Sequence, residues 1–136
     1  MTQNKNLTLL KIALAIFAVV SIVYGIAMVF FTTGLIEMSG TDPFEPNWIR
    51  WAGGILIALG IAAILAFRNP AKQDIYVIAI GLGSLFTGLA LLYSWIFEMQ
   101  PGYVVSFTVL PCVLNLLISV LLWWGRQQAK DILKQD

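Results

Sequence analysis

This chain contains long apolar runs that are separated by short polar segments. Four of them lack a charged residue and cover residues 12–31, 51–67, 75–97 and 104–124. A helix needs about 20 apolar residues to cross roughly 30 Å of hydrocarbon, and the second run reaches that length if Trp48 and Arg50 lie among the headgroups. The runs do not alternate polar and apolar residues as the strands of a membrane barrel do. Because a helix satisfies its own backbone in lipid, the pattern predicts four transmembrane helices.

Short polar segments separate the runs, and each contains turn-forming residues. Residues 37–47 include two prolines, residues 68–74 include Asn69 and Pro70, and residues 98–102 include Pro101 and Gly102. Connections this short place neighbouring helices antiparallel. We therefore predict an all-α integral membrane protein, an antiparallel four-helix bundle that forms a single transmembrane domain over residues 1–136. Its spans are expected at about 9–33, 48–67, 75–97 and 103–125, with an outer loop at 34–47 and a cytoplasmic tail at 126–136.

The composition agrees with a membrane protein. Of the 136 residues, 60% are hydrophobic and 11% are charged. Soluble domains carry about 25% charged residues. A short chain has a high ratio of surface to volume, so it cannot hide this much apolar surface from water.

The basic residues predict the orientation of the helices. Arg50 falls on one side of the four-span topology, whereas the other seven of the eight basic residues fall on the opposite side. Basic residues concentrate on the cytoplasmic side of membrane proteins. We therefore expect a multi-pass protein of the bacterial cytoplasmic (inner) membrane with both termini in the cytoplasm. The seven residues are Lys5, Lys11, Arg68, Lys72, Arg126, Lys130 and Lys134.

Aromatic residues cluster near the predicted span ends, as in the belts at membrane interfaces. The alternative is that they fill the interior of the bundle. The outer group is Trp48, Trp51, Trp95 and Tyr103, and the inner group is Tyr76, Trp123 and Trp124.

Each span also has one small or polar face, which is typical of helix contacts in membranes. Ser84 and Gly88 lie four residues apart, so they could pack within the monomer, which we favour, or form a dimerisation face. The residues expected in helix packing are Gly53, Gly54, Gly60, Gly81, Ser84, Gly88 and Pro111.

Pro111 is expected to kink the fourth span, because proline removes a backbone hydrogen bond. Asn115 follows one turn later. Its amide could satisfy a carbonyl freed by the kink or bond to Ser21, Tyr24 or Thr87 on other spans. The functional alternative is that Asn115 contacts a ligand in a pocket that the kink opens.

The chain lacks the residues that most chemical reactions and transport mechanisms in membranes require. The chain has no histidine and a single cysteine, Cys112, so neither a Ser–His nor a Cys–His nucleophile can form. The span centres hold no ionisable side chain that could relay protons or couple transport to an ion. A net charge of +1 gives no electrostatic reason to bind nucleic acid. We therefore expect no enzyme activity, no cofactor, no metal site and no nucleic-acid partner.

One polar cluster is expected at the outer mouth of the bundle. Arg50 and Glu98 lie at similar depth, with Glu37 and Glu45 in the adjacent loop, and a guanidinium can bind two carboxylate oxygens at once. This pair could be a structural tie, or Arg50 could simply extend towards water. The sharper hypothesis is a site for an anionic headgroup or small ligand formed by Arg50, Trp48, Trp51, Tyr93 and Glu98.

Residues 47–54 read NWIRWAGG, and Gly60 and the Arg68-Asn69-Pro70 stop follow. This stretch resembles an uncharacterised family of small bacterial four-helix membrane proteins in the DoxX-like neighbourhood, in which the second helix carries R-x-x-G-G. The matching positions are Arg50, Gly53, Gly54, Gly60 and Gly88. Tyr93 and Ser94 stand where a second basic residue would be sought. The resemblance implies the four-helix fold but no established activity.

Two main functions compete. The first is a non-enzymatic accessory or stabilising subunit that acts through helix–helix association, within a larger membrane complex or as a homo-oligomer among membrane lipids. The alternative is a binding protein for a lipid, quinone or other apolar small molecule. A transporter or channel component is a third and weaker hypothesis, because a single small bundle offers no selectivity filter.

Overall fold

A computed structural model describes residues 2–42, 45–99 and 101–134, with the side chains of residues 2–6 outside the description. Within these ranges the chain is helical and contains no strand. The helices are α1 (Thr2–Phe30), α2 (Thr32–Ser39), α3 (Asn47–Arg68), α4 (Asp74–Phe97), α5 (Ser106–Gln128) and α6 (Lys130–Leu133).

Four helices are long and apolar enough to cross a membrane. They are the Leu7–Phe30 part of α1 and the whole of α3, α4 and α5. The prediction of an all-α protein with four apolar helices packed together is therefore confirmed. The end of α5 continues after a short break at Ala129 into α6, so most of the predicted tail is helical too.

The segment after the first span differs from the simple loop that we expected. Phe31 interrupts the regular helix, but its backbone N–H still donates to the Ala27 carbonyl at 2.9 Å. The Thr32 hydroxyl donates to the Met28 carbonyl, a type of bond that bends helices. Helix α2 occupies the first part of the region predicted as outer loop 34–47. Pro43 and Phe44 of that region lie outside the described residues.

Gly40 ends α2 and anchors the segment to the start of α5. It has a left-handed backbone with φ of 73°, which favours glycine. The Ser39 carbonyl accepts a hydrogen bond from the Val104 N–H at 2.8 Å. A methyl group added to Gly40 would clash with the carbonyl oxygen of Gly102.

Helix α1 occupies the centre of the arrangement. It packs against α3 on one side and α5 on the other, and α5 packs against α4. Helices α3 and α4 hardly touch. One bond that joins them is the Tyr76 hydroxyl, which donates to the Leu59 carbonyl at 2.6 Å.

Glycine lets the backbones of α1 and α3 approach closely. A methyl group added to Gly53 would lie 2.8 Å from the carbonyl oxygen of Gly25, and one added to Gly25 would lie 2.8 Å from that of Gly53. Gly60 lies two turns after Gly53 on α3 and packs closely against Ile22 of α1. These contacts leave no room for a side chain, so the two helices pack backbone to backbone.

Helices α4 and α5 are joined by small residues and by side-chain hydrogen bonds to the backbone. Gly88 packs against Leu116, and the Cys112 thiol donates to the Gly88 carbonyl at 3.3 Å. The Ser119 hydroxyl donates to the Gly81 carbonyl at 2.9 Å. Because side chains from α5 reach carbonyls of α4, these bonds fix the register of the pair.

The apolar core lies in the half of the bundle that contains Lys11, Arg68 and Arg126. Most of its members are aliphatic, and α1, α3, α4, α5 and the α6 segment all contribute to it. The largest fully buried apolar side chains are Leu10, Leu14, Val77, Leu122 and Leu133.

We expect Gly53→Ala to destabilise the fold by about 1–3 kcal/mol, the usual cost of overpacking. The new methyl group would meet the Gly25 carbonyl oxygen and the Met28 Cβ, both at 2.8 Å, and neither atom can move freely. Thermal unfolding in mild detergent can be followed by the reaction of buried Cys112 with a thiol-reactive fluorophore.

Gly54→Ala is the matched control, because it brings the same gain in helix propensity and its methyl group would meet nothing within 4 Å. Equal unfolding temperatures for the two variants would contradict the close α1–α3 contact.

Candidate functional site

The structure places Arg50 in the first turn of α3 with an exposed side chain. Among the described residues, Arg50 forms no ion pair with any carboxylate. Glu98 follows the end of α4, where one carboxylate oxygen accepts a hydrogen bond from the Ser94 hydroxyl at 3.1 Å. Glu37 and Glu45 are also exposed. The arginine–carboxylate tie expected at the outer mouth is therefore not formed between described residues.

The aromatic residues of the predicted outer site form two separate pairs. Trp48 and Trp51 stack edge to face on α3, with ring centroids 6.0 Å apart. Tyr93 lies 5.0 Å from Phe97 on α4. In the part of the chain that the structure describes, no ring contact, hydrogen bond or ion pair joins the two groups. A ligand site that uses both groups remains a prediction.

Asn115 bonds within its own helix. Its amide nitrogen donates to the Pro111 carbonyl at 2.8 Å. The carbonyl that a proline at position 111 frees is the one four residues earlier, on Phe107, so Asn115 satisfies a different group. No hydrogen bond from Asn115 to Ser21, Tyr24 or Thr87 is found among the described side chains. Pro111 itself lies inside α5 without ending the helix.

The seven residues predicted for helix packing differ in burial. Gly53, Gly60, Gly81, Ser84 and Gly88 are buried, and Pro111 is half-buried. Gly54 is exposed, and a methyl group there would meet no atom within 4 Å.

The strongest polar contact lies at the opposite end from Arg50. Arg126 donates from Nε to one oxygen of Asp74 at 2.7 Å and from Nη2 to the other at 2.9 Å. The two side chains are only 15% and 17% exposed. Such a two-point contact is the geometry for which arginine is suited and lysine is not.

Local structure explains why these two residues meet. Asp74 is the first residue of α4 and Arg126 lies in the last turn of α5, and each charge complements the dipole of its own helix end. Antiparallel packing then brings the two ends together. From the sequence, Arg126 was a marker of topology and Asp74 was the last residue of a turn. The missed signal is an acidic residue at a helix start on the mainly basic side.

Two cations at this same end lie over aromatic rings. The Arg126 guanidinium is 5.4 Å from the centroid of the Trp123 ring. The Lys11 ammonium is 5.4 Å from the centroid of the Phe67 ring. Cation–π contacts of this length stabilise both partners, so Trp123 and Phe67 have structural contacts as well as interfacial positions.

Two grooves run along the sides of the bundle. The larger, of about 520 Å³, lies between α4 and α5 and is mostly apolar. Its lining is Gly81, Leu82, Leu85, Ser119, Val120, Trp123, Trp124 and Gln127. The smaller groove, of about 300 Å³, lies between α1 and α3 and is lined by apolar residues throughout.

A stripe of small residues lies open on α4. Ala79, Gly83, Thr87 and Ala90 share one side of the helix at the spacing of 3.6 residues per turn, and all four are exposed. A methyl group added to Gly83 would meet no atom within 4 Å. Tyr76 precedes the stripe on the same side and bonds to α3. The stripe thus begins where α3 and α4 touch and continues where they separate.

We expect Arg126→Gln and Asp74→Asn each to lower stability by about 1–3 kcal/mol, because each leaves a partly buried polar partner without its charged hydrogen bonds. The measurement is unfolding in mixed detergent micelles, with the double variant completing a thermodynamic cycle. Arg68→Gln is the control, since it removes a basic residue from the last turn of α3 that has no described ion pair. If the double variant loses the sum of the two single losses in free energy of unfolding, the two side chains do not stabilise each other.

Comparisons with known proteins place the chain in a family but do not extend to function. No curated protein and no solved structure matches it. One family model, described as the DUF4345 domain of unknown function, matches residues 9–126. That match covers the helices α2, α3 and α4 and most of α1 and α5. The chain therefore belongs to the DUF4345 family.

Proposed function

We propose that this chain is a non-enzymatic integral membrane protein that acts as an accessory or stabilising subunit by binding another transmembrane helix. The observation that carries the proposal is the exposed stripe Ala79, Gly83, Thr87 and Ala90 on α4. The two long-range glycine contacts inside the bundle show how the chain itself uses small residues, since Gly53 and Gly88 each receive a neighbouring helix.

The stripe differs from the rest of the exposed surface. Lipid-facing positions favour large apolar side chains, and the neighbouring exposed positions of α4 have them in Phe86, Leu89 and Tyr93. Small residues at an interface let a second backbone come close, which is the main source of helix association in membranes. An open glycine such as Gly83 offers lipid little packing surface but offers a partner helix a close contact.

Thr87 adds a polar group to the same stripe. Its side chain is exposed, and no described residue accepts or donates a hydrogen bond to its hydroxyl. Hydrogen bonds between helices in membranes stabilise association by roughly 0.6–2 kcal/mol. A partner helix with small residues and a backbone carbonyl or hydroxyl near Thr87 would fit this surface.

The orientation belongs to the same proposal. We place the protein in a bacterial cytoplasmic membrane with both termini inside, supported by seven of eight basic residues on one side of the four helices. Arg50, Gly53 and Gly54 form an R-x-x-G-G arrangement at the start of α3. This arrangement supports a distant DoxX-like relationship.

Binding of a quinone or other apolar molecule in the outer half of the bundle is the second candidate. Two of the polar groups that the sequence offered for such a ligand are engaged within the chain, since Asn115 bonds to Pro111 and Glu98 accepts a bond from Ser94. Arg50 and Tyr93 share no described contact. These observations favour association over an outer ligand site.

Cysteine cross-linking in native membranes tests the association. In a Cys112→Ser background, Gly83→Cys and Thr87→Cys are expected to give a cross-linked product with a second copy or with another membrane protein. Leu89→Cys is the matched control, because Leu89 is exposed at the same depth on the other side of α4. Equal cross-linking at all three positions would show that the stripe has no special role.

Gly83→Leu is expected to shift the protein purified in mild detergent towards the monomer, because a large side chain blocks close helix approach. Gly54→Leu is the control, since Gly54 is an equally open glycine on α3. A wild-type protein that runs only as a lone monomer in native mass spectrometry would contradict the proposal.

A further inference from the structure

We propose that the groove between α4 and α5 is a binding site for an anionic glycerophospholipid, with an acyl chain along the groove and the charged headgroup beside Lys130 and Lys134. This inference does not depend on the partner helix of the proposed function. The groove residues Leu82 and Leu85 lie on a different side of α4 from the open stripe.

The groove has the size and lining that an acyl chain requires. It encloses about 520 Å³, and its walls are formed by aliphatic side chains and by the rings of Trp123 and Trp124. The Ser119 hydroxyl in the lining is already bonded to the Gly81 carbonyl. No unpaired charge therefore lies along the groove walls, and an apolar chain meets matching surface.

The polar end of the groove carries positive charge. Gln127 closes the lining at the end where α5 passes into α6. Trp123, another wall residue, supports the Arg126 guanidinium, which is bonded to Asp74. Lys130 begins α6 three residues after Gln127, and both Lys130 and Lys134 are exposed. Two exposed lysines thus follow the groove end closely along the chain.

The charges at this end leave a surplus for a headgroup. Asp74 neutralises Arg126, and Asp131 lies between Lys130 and Lys134 in the sequence. The sequence carries seven basic residues on this side against Asp74, Asp131 and Asp136, so a positive surplus remains. Basic pockets between helices at the cytoplasmic side of a membrane are known to recognise anionic headgroups.

The smaller groove between α1 and α3 provides an internal comparison. Its volume is about 300 Å³ and its lining, from Ala15 to Phe67, contains no polar side chain. A cation also lies at its wall, since the Lys11 ammonium is 5.4 Å from the centroid of the Phe67 ring. The α4–α5 groove is the larger of the two, and it is the one that we expect to hold an acyl chain.

The test is native mass spectrometry of the full chain with added phosphatidylglycerol or phosphatidylcholine. The wild type should retain phosphatidylglycerol in preference to phosphatidylcholine. Lys130→Gln with Lys134→Gln should reduce phosphatidylglycerol binding about ten- to thirtyfold, the effect of two lysines near an anionic headgroup. Arg68→Gln with Lys72→Gln is the control, because it removes the same charge from the loop between α3 and α4.

The groove is tested separately by Val120→Trp, which should fill it and reduce the retention of phosphatidylglycerol. Val113→Trp is the matched control, because Val113 is exposed on the same face of α5 two turns away and outside the groove. The reactivity of Cys112 shows whether each variant remains folded.

Equal retention of the two lipids would overturn the proposal. So would equal losses in the two double-glutamine variants, since they would show a general effect of surface charge. Full retention in a folded Val120→Trp variant would show that the lipid binds elsewhere.

Discussion

Close contact between glycine backbones is the constraint on which the rest of this structure depends. In the bilayer that we propose as its medium, lipid tails are as apolar as leucine, so helices gain little from burying leucine against one another. They must gain from dense packing and from hydrogen bonds. The α1–α3 pair meets this need at Gly25 and Gly53, where each backbone carbonyl lies against the other helix. Because α1 also packs against α5, its position sets that of the other helices.

Hydrogen bonds to the backbone and one ion pair complete the arrangement. Ser119 and Cys112 reach carbonyls of α4, and a buried hydroxyl or thiol with a partner avoids the cost of an unsatisfied polar group. Arg126 and Asp74 hold the same two helices together at their basic end. Among the described residues, Tyr76 gives the one hydrogen bond found between α3 and α4, which explains why the side of α4 next to α3 remains open.

Much of the fold follows from the sequence. The four apolar runs and their Pro- and Gly-containing breaks predicted the helices, because a continuous apolar run satisfies its own backbone in lipid as a helix. The separate helix α2 was missed, since Phe31 and Thr32 bend the chain without breaking its hydrogen bonds. The sequence also could not distinguish Gly53 from Gly54. Only the rotation of α3 about its axis determines that one is buried and its neighbour is open.

The polar sites were harder to predict than the helices. Arg50 attracted attention because it stands apart from the other basic residues, yet its side chain has no described ion pair. Asp74 and Arg126 are 52 positions apart, and no local pattern connects them. Their pairing depends on which helices are neighbours and on where each one ends. A single sequence gives element lengths well, but it does not give helix order around a bundle.

The most direct test of this account is the distance between Gly25 and Gly53 in a lipid bilayer. Solid-state NMR of glycine-labelled protein in bilayers should show a dipolar cross peak between these two residues, identified by its loss in a Gly53→Ala variant. The account predicts that the peak is present, because the two backbones are in van der Waals contact. Absence of the peak, in a spectrum that retains the Gly40–Gly102 contact, would show that α1 and α3 do not pack through glycine.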